Sequence, residues 1–138
     1  MEEIHLGGGC FWCIEGGLLG LRGVEEVVPG YSGGHVENPT YEQVCGKKTG
    51  HAEVVRVKFD PEQIPRMTLL RVFHTLFDPT QLNRQGNDIG PQYRSIVLYS
   101  DEGQKRDALA AIDEVSEYYD DPVVTEVVPL EFFWQAED

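Results

Sequence analysis

In Glu3-Ile4-His5-Leu6-Gly7-Gly8-Gly9-Cys10-Phe11-Trp12-Cys13-Ile14-Glu15 a short strand-like run gives way to three glycines and then to what reads as a helix. Glycine runs permit tight turns in which backbone comes close to a bound ligand. The turn delivers the Cys10 thiol to a helix N-terminus, where unpaired N–H groups and the positive end of the dipole favour a thiolate and lower its pKa. Cys10 is therefore a candidate nucleophile. Phe11 and Trp12 follow at once; two large rings beside a reactive thiol are costly unless they line something apolar, and they suit a small hydrophobic pocket as well as an ordinary helix core. Cys13 lies one helical turn on, on the same face, and completes a CxxC pair.

Outward from this stretch, the helix spans Cys10 to Leu19 and ends at Gly20 and Gly23, and Val24 to Val28 reads as a strand closed by Pro29-Gly30. Residues 31 to 41, rich in glycine and carrying Tyr31 and Tyr41, read as a long loop of the kind that more often has a function than not. The best strand signal is Glu53 to Phe59: Val55, Val57 and Phe59 alternate onto one face, and Val54, Arg56 and Lys58 onto a second face read as wet. Glu53 falls in phase with the apolar set. A carboxyl on the dry side loses solvation, which raises its pKa and suits it to act as a general acid.

Thr68 to Asp78 has the spacing of a helix that covers the sheet, with His74 a surface or core residue. Residues 80 to 91 form a second polar loop containing Asp88; Gln92 to Tyr99 reads as a central strand with Tyr93 at its mouth. Ser100 reads as the N-cap of a helix reaching Tyr118, and Thr125 to Leu130 as the last strand. Two interleaved βα units predict an α+β fold: a two-layer sandwich with a mixed β-sheet covered by helices around a ferredoxin-like βαβ core.

Composition bounds the classes of function. The chain has 138 residues, room for one domain with a sizeable core, and a net charge of −13. Residues 101–138 carry twelve acids against Lys105 and Arg106, which argues against nucleic acid and for a solvated acidic face. No run approaches a membrane span and no signal peptide is visible, so the expected location is the cytoplasm. Three cysteines suit a reducing compartment and thiols used chemically. A zinc site built from Cys10, Cys13, Cys45 and His35 or His51 is the competing use of the CxxC, but no second close pair completes it, and no metal is expected.

Gly9-Cys10-Phe11-Trp12 with Glu15, Gly30-Tyr31-Ser32-Gly33-Gly34, Asn38-Pro39-Thr40-Tyr41, Thr49-Gly50-His51-Ala52-Glu53 and Asp88-Ile89-Gly90-Pro91-Gln92-Tyr93-Arg94-Ser95 together resemble the A-type peptide methionine sulfoxide reductase family. The resemblance runs over most of the chain. It implies reduction of methionine (S)-sulfoxide, free or in proteins, as part of protein repair under oxidative stress. Carried over by position, it implies Cys10 as nucleophile, Glu53 as the acid on the sulfoxide oxygen, Tyr41 and Tyr93 as hydroxyls on that oxygen, Asp88 as a carboxylate ordering water and substrate, and Phe11 and Trp12 as the pocket for the S-methyl group. Glu15 belongs to the motif without an assigned role. No cofactor is implied.

Many family members resolve the sulfenic acid with cysteines in a C-terminal tail, whereas here no cysteine follows Cys45. Cys13 is then the expected resolving thiol and Cys45 the alternative, with a thioredoxin- or glutaredoxin-type reductant closing the cycle. The expected organisation is a single, monomeric catalytic domain over residues 1–138, truncated at its C-terminus. The nearest rival is a thioredoxin-like disulfide oxidoreductase, which shares the CxxC at a helix start but leaves Glu53, Asp88 and the tyrosines without a purpose.

Overall fold

The structure, a computed structural model, describes residues 1–36, 39–45 and 49–136. In chain order it contains β1 (Glu2–Gly7), α1 (Phe11–Leu18), β2 (Val24–Ser32), α2 (Tyr41–Cys45), β3 (Ala52–Phe59), α3 (Arg66–Phe73), the short pair β4 (Arg84–Gln85) and β5 (Asp88–Ile89), then β6 (Ile96–Tyr99), α4 (Glu102–Ser116), β7 (Glu126–Pro129) and β8 (Phe133–Gln135). The main sheet runs β7-β6-β1-β3-β2-β8. Every pairing is antiparallel except the parallel β6–β7, so the sheet is mixed. Its middle four strands, β6-β1-β3-β2, are the fourth, first, third and second of a βαββαβ unit. This is the expected α+β, ferredoxin-like arrangement.

Apolar alternation explains one face. Ile4 and Leu6 of β1, Val27 and Tyr31 of β2, Val55, Val57 and Phe59 of β3 and Val97 of β6 are buried against Phe11, Ile14 and Leu18 of α1, Leu69, Leu70 and Phe73 of α3, and Ala108 and Ala111 of α4. The opposite face is not the wet one that Val54-Arg56-Lys58 suggested. Val54 is fully buried with Ala52, Ile96 and Leu98, beneath Val128, Leu130 and Phe133 from the C-terminal segment. Only Lys58 of that trio is exposed, while Arg56 lays its guanidinium over the Phe133 ring at 5.4 Å.

Chain reach accounts for this second core. A flat six-stranded sheet holds its edge strands about 24 Å apart at roughly 4.8 Å per strand, whereas Pro129 to Phe133 spans at most about 14 Å. The sheet must therefore curl until β7 and β8 approach each other, and the inside of the curl excludes water. His5 of β1 is trapped there with both ring nitrogens unpaired among the described residues, its ring 5.1 Å from Phe133, and burial pushes its pKa down to about 4.

Several element boundaries differ from those expected. β2 continues through Pro29 and Gly30 to Ser32 because Pro29 directs its missing N–H toward the outer neighbour β8, near that strand's end, where its carbonyl accepts from the Ala136 N–H at 2.9 Å. The loop expected from 31 to 41 contains the end of β2 and the start of α2. Helix α3 begins at Arg66 and ends at Phe73, after which Thr75 and Leu76 make tighter i→i−3 bonds that keep Leu76 and Phe77 turned inward. The strand expected from Gln92 begins only at Ile96, since Pro91–Tyr93 is a 3-10 turn. Asp101 rather than Ser100 caps α4, accepting from the Gln104 N–H at 2.8 Å, and that helix stops at Ser116. The strand expected over Thr125 to Leu130 is Glu126–Pro129, and it is not the last, since β8 follows it.

Candidate active site

Three glycines seat the thiol. A Cβ on Gly7 would come within 2.6 Å of the Glu53 carbonyl oxygen, and one on Gly8 within 2.9 Å of the Phe77 ring, so only bare backbone fits where β1 leaves the sheet. Gly9 then turns with φ +76°, a left-handed conformation natural to glycine, and donates its N–H to the Tyr93 carbonyl at 3.1 Å. Cys10 follows as the extended N-cap of α1. Its carbonyl accepts from Cys13 at 3.1 Å and Ile14 at 3.3 Å, while its side chain makes no capping bond.

Opposite it, β3 carries Glu53 on its inward face. Glu53 is 1% exposed; Oε1 accepts from the Phe11 N–H at 3.3 Å, and among the described residues Oε2 has no hydrogen-bond partner. Burial pushes its pKa up to about 7, with the Asp88 charge adding to the rise and the Phe11 N–H opposing it. Cys10 also departs from expectation. The amides of Trp12 and Cys13 pull its pKa down, as a helix start should, but loss of solvation outweighs them, and the thiol is raised with Glu53 contributing. At neutral pH the Cys10 thiol therefore keeps its proton, and the Glu53 carboxyl stands near the midpoint of its own titration.

The β4–β5 hairpin brings in Asp88. It pairs Gln85 with Asp88, and the Gln85 amide grips both the N–H and the carbonyl of Asp78 at 2.8 and 2.9 Å, fixing the hairpin beside Gly9. Phe11 is buried at the centre of an aromatic group, 5.0 Å from Trp12 and 5.7 Å from Tyr31. Trp12 stacks on Tyr41 at 6.2 Å. A depression of about 560 Å³ opens here, lined by Phe11, Trp12, Tyr31, Thr40, Tyr41, Glu42 and Ala136.

Cys10, Phe11 and Glu53 thus meet where β1 ends and β3 begins; Trp12 and Tyr41 adjoin them through ring contacts, exposed Asp88 acts on Glu53 by its charge, and Tyr93 meets Gly9 through its backbone carbonyl. Cys13 is exposed and is a free thiol, as is Cys10, and the two sit in one helical turn. Cys45 ends α2, and its side chain lies outside the described residues. Two features escaped the sequence reading. Helix α2, which orients Tyr41, starts with a reciprocal cap: Thr40 Oγ1 accepts from the Gln43 N–H and Gln43 Oε1 from the Thr40 N–H, at 3.1 and 2.8 Å. Thr-x-x-Gln was the available signal. His51, quoted in a family motif without a role and otherwise weighed as a metal ligand, is buried; Nδ1 accepts from the Gly34 N–H at 3.0 Å, and Nε2–H donates to the Val36 carbonyl at 2.6 Å. It pins the 33–36 segment to the start of β3.

A thiol and a buried, proton-bearing carboxyl on an α+β sheet, with a second thiol one turn away, define a thiol-dependent oxidoreductase. Comparison with known proteins makes the class specific. The family model described as peptide methionine sulfoxide reductase matches residues 2–138. Peptide methionine sulfoxide reductase MsrA of Saccharolobus solfataricus is 54% identical over 138 residues, 100% of this chain and 78% of that protein. Among solved structures, methionine sulfoxide reductase A of Corynebacterium diphtheriae is 33% identical with a TM-score of 0.95, over 99% of this chain and 70% of that one. Mxr1 from Saccharomyces cerevisiae in reduced form is 28% identical with a TM-score of 0.92, over 99% and 80%. The chain belongs to the peptide methionine sulfoxide reductase family, and its reaction is the reduction of methionine sulfoxide. Among the described residues no helix is long and apolar enough to cross a membrane.

Proposed function

We propose that residues 1–138 act as one cytoplasmic, monomeric catalytic domain that reduces the S-epimer of methionine sulfoxide, free or in oxidised proteins, through a sulfenic acid on Cys10. The observation that carries this reading is the buried Glu53 carboxyl, held by the Phe11 N–H and bearing a proton up to about pH 7 beside the Cys10 thiol. A sulfoxide oxygen leaves only once protonated. Glu53 gives its proton to that oxygen and recovers one from the Cys10 thiol as Cys10 sulfur bonds the substrate sulfur; the hydroxyl then passes to Cys10 as the S–O and S–S bonds break, leaving methionine and Cys10 S–OH. The sulfoxide is reduced by two electrons and Cys10 is oxidised by two.

Glu53 Oε2, unpaired among the described residues, offers the substrate a hydrogen bond. Tyr41 and Tyr93 hydroxyls join it on the oxygen side, and Asp88 orders water and substrate. Phe11 and Trp12 receive the S-methyl. Methyl and oxygen differ sharply in hydration, so apolar rings on one side and polar groups on the other select one epimer. Cys13, with Cys45 the alternative, then attacks the sulfenic acid, releasing water and forming a disulfide. A thioredoxin- or glutaredoxin-type dithiol reduces it; the yeast neighbour Mxr1 has been solved in complex with Trx2, which supports the former.

The test uses racemic methionine sulfoxide with excess dithiothreitol. Wild type consumes half of the racemate, the S-epimer, and Cys10→Ser consumes none. Turnover of the R-epimer, or activity that survives Cys10→Ser, overturns the reading.

A further inference from the structure

The depression walled by Phe11 and Trp12 is larger than an S-methyl group requires. A methyl group occupies about the ~30 Å³ share of one water molecule. The basin measures about 560 Å³, and Tyr31, Thr40, Glu42 and Ala136 wall it beyond Phe11 and Trp12. Its accessible rings are Trp12, 57% exposed, and Tyr41, 41% exposed, stacked on each other. Glu42, on the exposed side of α2, is the one charged residue that lines it among the described residues. Aromatic faces carry negative quadrupole potential, and a carboxylate beside them reinforces it. The net charge of −13 adds a general attraction for cationic chains.

We propose that this basin is a second subsite, which takes the side chain of a Lys or Arg adjacent to the oxidised methionine in a polypeptide and makes the enzyme selective for methionine sulfoxide in basic sequence surroundings. The inference rests on the catalytic reading above, since it places the neighbouring residue relative to a methionine seated between Cys10 and Phe11. A basic side chain reaches the subsite because its long aliphatic stem lies along the exposed Tyr41 ring while its charge sits beside Glu42. Phe11 and Trp12, which receive the S-methyl in the catalytic reading, also wall the basin, so its occupant belongs to the same substrate chain.

The experiment measures kcat/KM on three otherwise identical peptides with Lys, Leu or Glu next to methionine sulfoxide, at low and high salt, for wild type and for Glu42→Gln and Glu42→Lys. Wild type should rank Lys above Leu above Glu, with Lys over Glu by about fivefold to tenfold at low salt. Glu42→Gln should narrow that ratio and Glu42→Lys should abolish or invert it; 1 M salt should narrow it in wild type by screening. Leu equal to or better than Lys, or a Lys-to-Glu ratio that Glu42→Lys leaves in place, overturns the proposal. A flat preference with activity that still depends on Cys10 removes only the subsite. Activity that persists in Cys10→Ser removes the catalytic reading beneath it.

Discussion

The Phe11 backbone N–H donates to Glu53 Oε1 at 3.3 Å, so the first amide of the helix that begins after the thiol holds the carboxyl opposite it. One hydrogen bond thereby couples β3 to the start of α1 and sets the approach of sulfur to acid. It also explains why Glu53 is not raised further: a charged carboxyl accepts this bond better than a neutral one, which opposes burial.

If Glu53 protonates the leaving oxygen, its acid form is the active one. The wild-type kcat/KM should then fall as pH rises through about 7, where Glu53 loses its proton. Glu53→Gln should reduce kcat about 10²- to 10³-fold at pH 7 and lose that inflection. A pH–rate profile on both proteins checks this, and an unchanged alkaline limb in Glu53→Gln would reject the assignment.

Glu53 and His5 should oppose each other in stability. The folded pKa of Glu53, about 7, lies above its ordinary value of 4.5, so its contribution is full below 4.5 and is lost as pH rises to 7. The folded pKa of His5, about 4, lies below 6.5, so its contribution is full above 6.5 and is lost as pH falls to 4. Each shift corresponds to about 3 kcal/mol, and the two nearly cancel between pH 4.5 and 6.5. Urea unfolding should therefore show Glu53→Gln losing stability on acidification and His5→Leu losing it as pH rises, each more steeply than wild type. Parallel curves for all three proteins would contradict this.

Cys13→Ser should complete one stoichiometric reduction and then stall with thioredoxin as reductant. Mass spectrometry of wild type after one equivalent of sulfoxide, without reductant, should find Cys10 joined to Cys13. A Cys10–Cys45 linkage, or full cycling by Cys13→Ser, would move the resolving role away from Cys13.

Gly30 tests the curl of the sheet. A Cβ there would meet the Phe133 ring at 2.4 Å and the Trp134 carbonyl at 2.5 Å, so β8 closes only over bare backbone. Gly30→Val should cost about 1–3 kcal/mol by overpacking. It should also increase hydrogen exchange at Ala136, whose N–H bonds to Pro29. A variant as stable as wild type would show that β8 contributes little.

Local pattern carried much of this molecule. The glycines before Cys10 and the alternation of Glu53 with Val55, Val57 and Phe59 were legible because each is a short-range property: a turn that needs small residues, and a period of two that assigns a face. By itself the sequence determined that a thiol stands at a helix start, that a carboxyl shares the dry side of a strand, and which family holds both. Tertiary structure alone decided the rest. Val54 is buried because a three-residue link between β7 and β8 forces the sheet to curl; His5 is stranded by the same closure. The Cys10 pKa is raised because the fold removes more solvation than two amides return, a balance set by groups distant in the chain that no local pattern encodes.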